Sequence, residues 1–140
     1  MTSETRSKNM RAIRSRGNRS TEWRLRAALV QRAISGWELH PSGVLGVPDF
    51  YFRFQRFAVF VDGCFWHCCP KCGHIPKTNV RYWRKKLERN RARDRRVAKD
   101  LRRAGCKVVR IWECEVRSDP GNCAERIWRI LHRKVVTLTT

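Results

Sequence analysis

The sequence predicts an α/β domain in which a mixed sheet is flanked by helices. Three observations lead there. A capped, amphipathic stretch follows residue 19; two short aromatic and β-branched runs lie close together between positions 49 and 61; and a long basic helical stretch separates them from a third strand. The order α, β, β, α, β, α suits a sheet covered by helices. With 140 residues, 41% of them hydrophobic, the chain can fill one modest core, so one domain over 1–140 is expected.

Each element has its own signal. Residues Thr5 to Ser15 alternate basic side chains with Met10, Ala12 and Ile13, and residues 1–19 read as a basic arm or short helix. Ser20-Thr21-Glu22 followed by Trp23, Leu25, Ala28, Leu29 and Ile34 reads as a capped helix with an apolar stripe. Pro41, Gly43, Gly46 and Pro48 form a loop that leads into Asp49-Phe50-Tyr51-Phe52, a strand. Phe57 to Val61 reads as a buried strand paired to it, with Arg53 to Arg56 as the hairpin connection. Asn79 to Ala104 is the longest helix, carrying Trp83, Leu87, Val97, Ala98 and Leu101 on or near one face, and Gly105 stops it. Cys106 to Trp112 is the third strand, and Asn122 to Arg133 a last helix.

Charge narrows the function classes. The chain has 32 Lys and Arg against 12 Asp and Glu, a net +20, and such a surplus calls for a polyanionic partner. A lipid surface would need a long apolar run or a basic helix with a greasy face. The longest apolar stretch, Phe57 to Val61, is bounded by Arg56 and Asp62, so nucleic acid is favoured over membrane. Residues 1 to 10 lack the apolar core of a secretory signal, which makes a reducing, cytoplasmic location the expectation. In that compartment cysteines point to metal or chemistry rather than disulfides, and four of the seven fall between Cys64 and Cys72.

Four constellations carry chemistry. Pro48-Asp49 opens one strand and Asp62 closes the next; antiparallel pairing would bring both carboxylates to one end of the sheet, where an oxygen-seeking Mg²⁺ could sit. Taken alone, two turn-forming aspartates explain these positions equally well. Cys64, Cys69 and Cys72, with Cys114 just after the third strand, have the spacing of a structural Zn²⁺ site. Cys68 competes with Cys69, and His67 and His74 are further candidate ligands. Phe65-Trp66 are adjacent large aromatics in a tight loop, so at least one should reach the surface, for base stacking or wedging, unless both cover the metal. His67 beside them is a candidate general base, since an imidazole titrates near neutrality. The long helix adds Arg81, Arg84, Lys85, Lys86, Arg89, Arg91, Arg93, Arg95 and Arg96, more than solubility needs and suited to phosphate contacts.

Together Thr5-Arg6-Ser7-Lys8-Asn9-Met10-Arg11-Ala12-Ile13, Pro48-Asp49-Phe50, Gly63-Cys64-Phe65-Trp66-His67 and Trp112-Glu113-Cys114 resemble, in this order, the very short patch repair (Vsr) DNA mismatch endonucleases. The resemblance spans residues 5 to 114. It implies a restriction-endonuclease-like fold of the PD-(D/E)XK type, and Mg²⁺-dependent nicking of duplex DNA 5′ to the thymine of a T·G mismatch left by deaminated 5-methylcytosine. By matched position, it implies that Asp49 binds Mg²⁺ with the Val61 carbonyl, that His67 is the catalytic histidine, and that Glu22 supports the site. Phe65, Trp66 and Met10 match intercalating residues, and Cys64, Cys69, Cys72 and Cys114 match the zinc ligands. A monomer is implied, close to the nucleoid, with a mismatch-repair protein and a cytosine-5 DNA methyltransferase as functional partners.

One position departs from the pattern. Where the family has Thr-His before Gly-Cys, this chain has Val61-Asp62, so a second catalytic histidine is missing and Asp62 becomes a candidate further metal ligand. Two other readings compete: a non-catalytic, zinc-stapled nucleic-acid-binding module, which leaves Asp49, Asp62 and His67 without a role, and a nuclease of the same fold with another DNA target.

Overall fold

The computed structural model describes residues 19–133. The basic arm and Met10 lie outside them. The first helix, α1, runs over residues 19–31. It is followed by strands β1 (Trp37–Leu39), β2 (Phe50–Phe52) and β3 (Phe57–Asp62), helix α2 (Val80–Arg103), strand β4 (Lys107–Trp112), and helices α3 (Glu113–Ser118) and α4 (Pro120–Leu131). The sheet order is β1-β2-β3-β4. β1–β2 and β2–β3 are antiparallel and β3–β4 is parallel, so the sheet is mixed, as expected.

Alternation along the strands separates two cores. Phe50, Phe52, Phe57, Val59, Val61 and Ile111 face Leu25, Ala28 and Leu29 of α1, Val116 of α3, and Cys123, Ala124 and Ile127 of α4. Tyr51, Ala58, Phe60 and Val108 face Ala98 and Leu101 of α2. Because side chains of a strand point to opposite faces in turn, one strand feeds both layers. Phe50, Phe52 and Phe57 are wholly buried, each contributing roughly 1.5–3 kcal/mol. A parallel β3–β4 pair requires a crossover connection, and α2 is its helical part. Gly105, at φ 90°, ends α2; the left-handed backbone there suits glycine.

The structure corrects several boundaries. Two strands were expected before the long helix and three are present: β1 is only three residues long and mostly exposed, so it leaves no apolar alternation. Ser20 and Thr21 lie inside α1 rather than capping it, and Trp23 is 68% exposed, off the apolar stripe. The last helix begins at Pro120 instead of Asn122, because Asp119 caps it by accepting from the Asn122 N–H at 3.0 Å, and proline suits the first turn. Helix α3 was not expected. It turns the chain directly after β4 and carries Cys114 in its first turn.

Candidate active site and metal cluster

A cleft of about 390 Å³ opens on the α2 side of the sheet, lined among others by Asp49, Val61, Asp62, Trp66, His67 and Asp94. Asp49 precedes β2 and Asp62 ends β3, and their antiparallel register brings both to this end of the sheet. They do not share one cluster, however. The ligand atoms of Asp49 group with Glu22 and His40, while those of Asp62 group with His67 and Asp94, each set within 4.8 Å.

The Asp49 group is built from three elements. Glu22 comes from α1. His40 follows β1, whose pairing with β2 sets Leu39 opposite Phe50 and the His40 N–H 3.4 Å from the Asp49 carbonyl. His40 Nε2 lies 3.0 Å from Glu22 Oε2, and its Nδ1 lies 3.8 Å from Asp49 Oδ1. The Val61 N–H donates to Asp49 Oδ2 at 2.6 Å. Burial, and then the neighbouring Glu22 carboxyl, push the Asp49 carboxyl up to about 8 against the opposing pull of the Val61 N–H. A carboxylate so disfavoured is stabilised by a cation beside it.

In the second group His67 Nδ1 lies 2.5 Å from Asp94 Oδ2 and 4.0 Å from Asp62 Oδ1. Asp94 sits on α2, whose Asn90 also donates to the Trp66 carbonyl at 3.3 Å and so ties the loop to the helix. Burial works against the Asp94 carboxylate, but the hydrogen bond and charge of His67, with Arg110 and Arg93, hold its pKa below the ordinary value. Asp62 is raised by burial, with His67 and Arg110 opposing. Arg110 Nη1 donates to both Asp62 oxygens, at 2.9 and 3.1 Å.

In the loop that carries Trp66 and His67, and just after β4, the sulfurs of Cys64, Cys69, Cys72 and Cys114 come within 4.8 Å of one another. Cys69 Sγ and Cys114 Sγ are 3.7 Å apart. Burial disfavours the Cys69 thiolate, yet the Cys72 and Lys71 N–H groups and the Cys114 and Cys64 sulfurs outweigh it and lower the thiol pKa. Tight turns shape this loop: Cys69 N–H donates to the Cys64 carbonyl at 2.9 Å and Gly73 N–H to the Cys69 carbonyl at 2.8 Å. A Cβ at position 73 would lie 2.6 Å from the Cys69 oxygen, so only glycine fits. Cys68, at φ 59°, lines a separate groove with His74. Among the described residues neither joins the sulfur cluster, nor does His67.

The two aromatics differ in exposure, Phe65 reaching the surface in part and Trp66 not. Trp66 is only 8% exposed, because α2 lays Trp83 against it at 6.0 Å between ring centroids and Lys86 over its ring at 5.3 Å. Phe65 is half-buried and meets Trp66 at 5.1 Å and Trp83 at 5.5 Å. Of the nine basic residues named on the long helix, all but the half-buried Lys86 are exposed.

Thus the structure brings Asp49, Val61, Asp62 and His67 to one cleft, groups Glu22 with Asp49, and gathers the four expected cysteines in a cluster of their own. Sequence reading missed His40, Asp94, Arg110 and Trp83. His40 was hidden with the unrecognised β1. Asp94 and Arg110 are lost among many charges, although Asp94 is one of only three acids on α2.

Comparison with known proteins bears on this arrangement. The family described as DNA mismatch endonuclease Vsr matches residues 1–72, just over half of the chain. Type II nicking enzyme V.NaeI of Lentzea aerocolonigenes is 45% identical over 118 residues, 81% of this chain and 70% of its own length. DNA mismatch endonuclease Vsr of Escherichia coli (strain K12) is 36% identical over 115 residues, 81% of this chain and 72% of its own. Type II nicking enzyme V.NmeDIP of Neisseria meningitidis serogroup C is 33% identical over 137 residues, 96% and 90% of the two chains. The chain therefore belongs to the Vsr family of DNA endonucleases.

Proposed function

We propose that the chain nicks one strand of duplex DNA 5′ to the thymine of a T·G mismatch, with Mg²⁺ at the Asp49 group. The observation that carries this reading is the cleft itself, in which the part-buried Asp49 carboxylate, grouped with further ligands, stands beside a histidine oriented by its own carboxylate. The position of Asp49 at the mouth of the β2–β3 hairpin supports a restriction-endonuclease-like, PD-(D/E)XK-type fold.

The residues fit such an ion. Glu22 and Asp49 offer oxygen donors and His40 a nitrogen. A strand residue projects its N–H and C=O toward the same edge, so the Val61 carbonyl lies on the edge from which its N–H reaches Asp49. When bound, Mg²⁺ supplies charge neutralisation at the scissile phosphate and raises the acidity of water. With Nδ1–H donated to Asp94, His67 presents Nε2 to the cleft, where it accepts the proton of the attacking water. The basic face of α2 holds the phosphate backbone. Trp66 lines the cleft with Phe65 and Trp83 packed on it, an aromatic group whose half-buried Phe65 is placed to enter the stack first, at the mispaired step that opens most cheaply. Met10 is a further candidate for that role, outside the described residues.

We assign Zn²⁺ to the four-cysteine cluster. Tetrahedral Zn–S bonds of about 2.3 Å set sulfurs roughly 3.8 Å apart, and the 3.7 Å between Cys69 and Cys114 supports that fit. A mismatch-repair protein and a cytosine-5 methyltransferase are the functional partners this role would call for, and the chain would act as a monomer in the cytoplasm, close to the nucleoid. Among the described residues no helix is long and apolar enough to cross a membrane.

The test is incubation with T·G-mismatched and fully matched duplexes of the same sequence, with and without Mg²⁺, and mapping of each nick. A Mg²⁺-dependent nick 5′ to the mismatched thymine is expected. Equal nicking of matched duplex would point to another DNA target, and binding without any nick to a non-catalytic module.

A further inference from the structure

Of the two carboxylate–histidine clusters, one already contains a cation. Asp62, His67 and Asp94 have the donor types and spacing of a metal site, yet Arg110 enters it from β4. Arg110 pairs with Phe60 in the β3–β4 register, and its guanidinium lies over the Phe60 ring at 4.3 Å. From that platform Nη1 donates to both oxygens of Asp62 and lies 3.7 Å from Asp94 Oδ1, while Nη2 donates to the Asp94 carbonyl at 3.3 Å.

We propose that the cleft is a one-metal centre, in which Arg110 stands as a fixed cation where a second divalent ion would otherwise bind between Asp62 and Asp94. The proposal rests on the nuclease reading above and specifies its metal stoichiometry. It also replaces the expectation that Asp62 is a metal ligand: Asp62 is the partner of Arg110.

Three features support a fixed cation rather than a phosphate-binding arginine. The guanidinium does not lose its proton in proteins, so the positive charge persists at every working pH. Its two terminal nitrogens are spent on Asp62 and Asp94, and its Nε is buried without a hydrogen-bond partner among the described residues, so the fork is turned toward the protein's own acids. A divalent ion placed between those acids would lie within a few ångströms of the guanidinium and be repelled by it. Two carboxylates facing a cleft without a resident charge would, in contrast, attract such an ion. The pair has a positioning consequence as well. With Asp62 held by Arg110, Asp94 alone contacts His67 Nδ1 closely, which leaves the imidazole one orientation.

Counting Mn²⁺ bound to the full, zinc-loaded chain by electron paramagnetic resonance tests this without a cleavage assay. Wild type should bind about one Mn²⁺ per chain, lost in Asp49→Asn. Arg110→Met should bind about two, returning to about one in Arg110→Met/Asp62→Asn. Asp62→Asn alone should keep one Mn²⁺ with affinity within about twofold of wild type, and this variant carries the test should Arg110→Met fail to fold. Two Mn²⁺ on wild type, one on folded Arg110→Met, or a tenfold loss of affinity in Asp62→Asn would overturn the proposal while leaving the nuclease reading standing. No Mn²⁺ on wild type would overturn both.

Discussion

His67 Nδ1 lies 2.5 Å from Asp94 Oδ2, across 27 positions of sequence and between a loop and a helix. A carboxylate on one imidazole nitrogen fixes the tautomer and leaves the other nitrogen free to take a proton. Asp94→Asn should therefore slow nicking on the order of 10²–10⁴-fold, the range of general-base assistance, with DNA binding retained. Its activity should also depend on pH differently from that of wild type. A rate and pH profile matching wild type would make the contact merely structural.

The Asp49 carboxyl has a folded-state pKa of about 8 against an ordinary 3.8. Between those values the folded, Mg²⁺-free chain keeps a proton that the unfolded chain has lost, so this group makes stability fall as pH rises. Asp49→Asn should then melt higher than wild type in Mg²⁺-free buffer, with a gap that widens from pH 5 to 8. Adding Mg²⁺ should stabilise wild type more than the variant. Melting curves with a constant gap across that range would contradict the burial assigned to Asp49.

Zinc content should follow the sulfur geometry. Cys69→Ser and Cys114→Ser should lose the metal and, on the order of 4–5 kcal/mol, much of the stability. Cys68→Ser and Cys106→Ser should keep both. Elemental analysis finding full zinc in folded Cys114→Ser would remove Cys114 from the ligand set.

Phe65 and Trp66 are expected to separate by their burial. Phe65→Ala should weaken binding to T·G duplex by about 1–3 kcal/mol, with less effect on matched duplex, where charge dominates, and little change in melting temperature. Trp66→Ala removes a buried side chain and should in addition cost roughly 3–5 kcal/mol of stability. Equal loss on both duplexes for Phe65→Ala would exclude it as the mismatch reader.

Binding should weaken steeply with salt, with a slope near −0.9 per neutralised phosphate. Replacing exposed Arg91 or Arg95 with alanine should flatten that slope by up to about 0.9 for each phosphate left without its arginine. Unchanged slopes in both would turn attention to the basic arm.

What was legible in the sequence is what chain-local patterns encode. Phe57 to Val61 could hardly be anything but a buried strand, and Gly105 marked the end of α2. Asp49, His67 and the four cysteines stood out because unusual residues crowd into short motifs. The missed residues act through register instead. His40 meets Asp49 only because β1 pairs with β2, and Arg110 meets Asp62 only because β4 lies parallel to β3. The burial of Trp66 was not legible because its cover, Trp83 with Lys86, comes from a helix that begins 14 positions later.

The sulfur cluster joins the residues that follow β3 to the residues that follow β4, the two ends of one crossover; Cys69 and Cys114 are 45 positions apart. Everything between them, α2 included, is a closed ring when the cluster is bridged. Closing a ring of that length in advance removes an entropy cost that the open chain would meet each time it folds. Asp94 belongs to the ring, and His67 lies in the same loop as Cys64 and Cys69. Zn²⁺ bound as proposed would therefore govern how often His67 and Asp94 are found together. Stripping it should abolish the histidine's alignment before it melts α1 and α4 on the opposite face. Hydrogen exchange would then show protection lost first along α2 and last in β2 and β3.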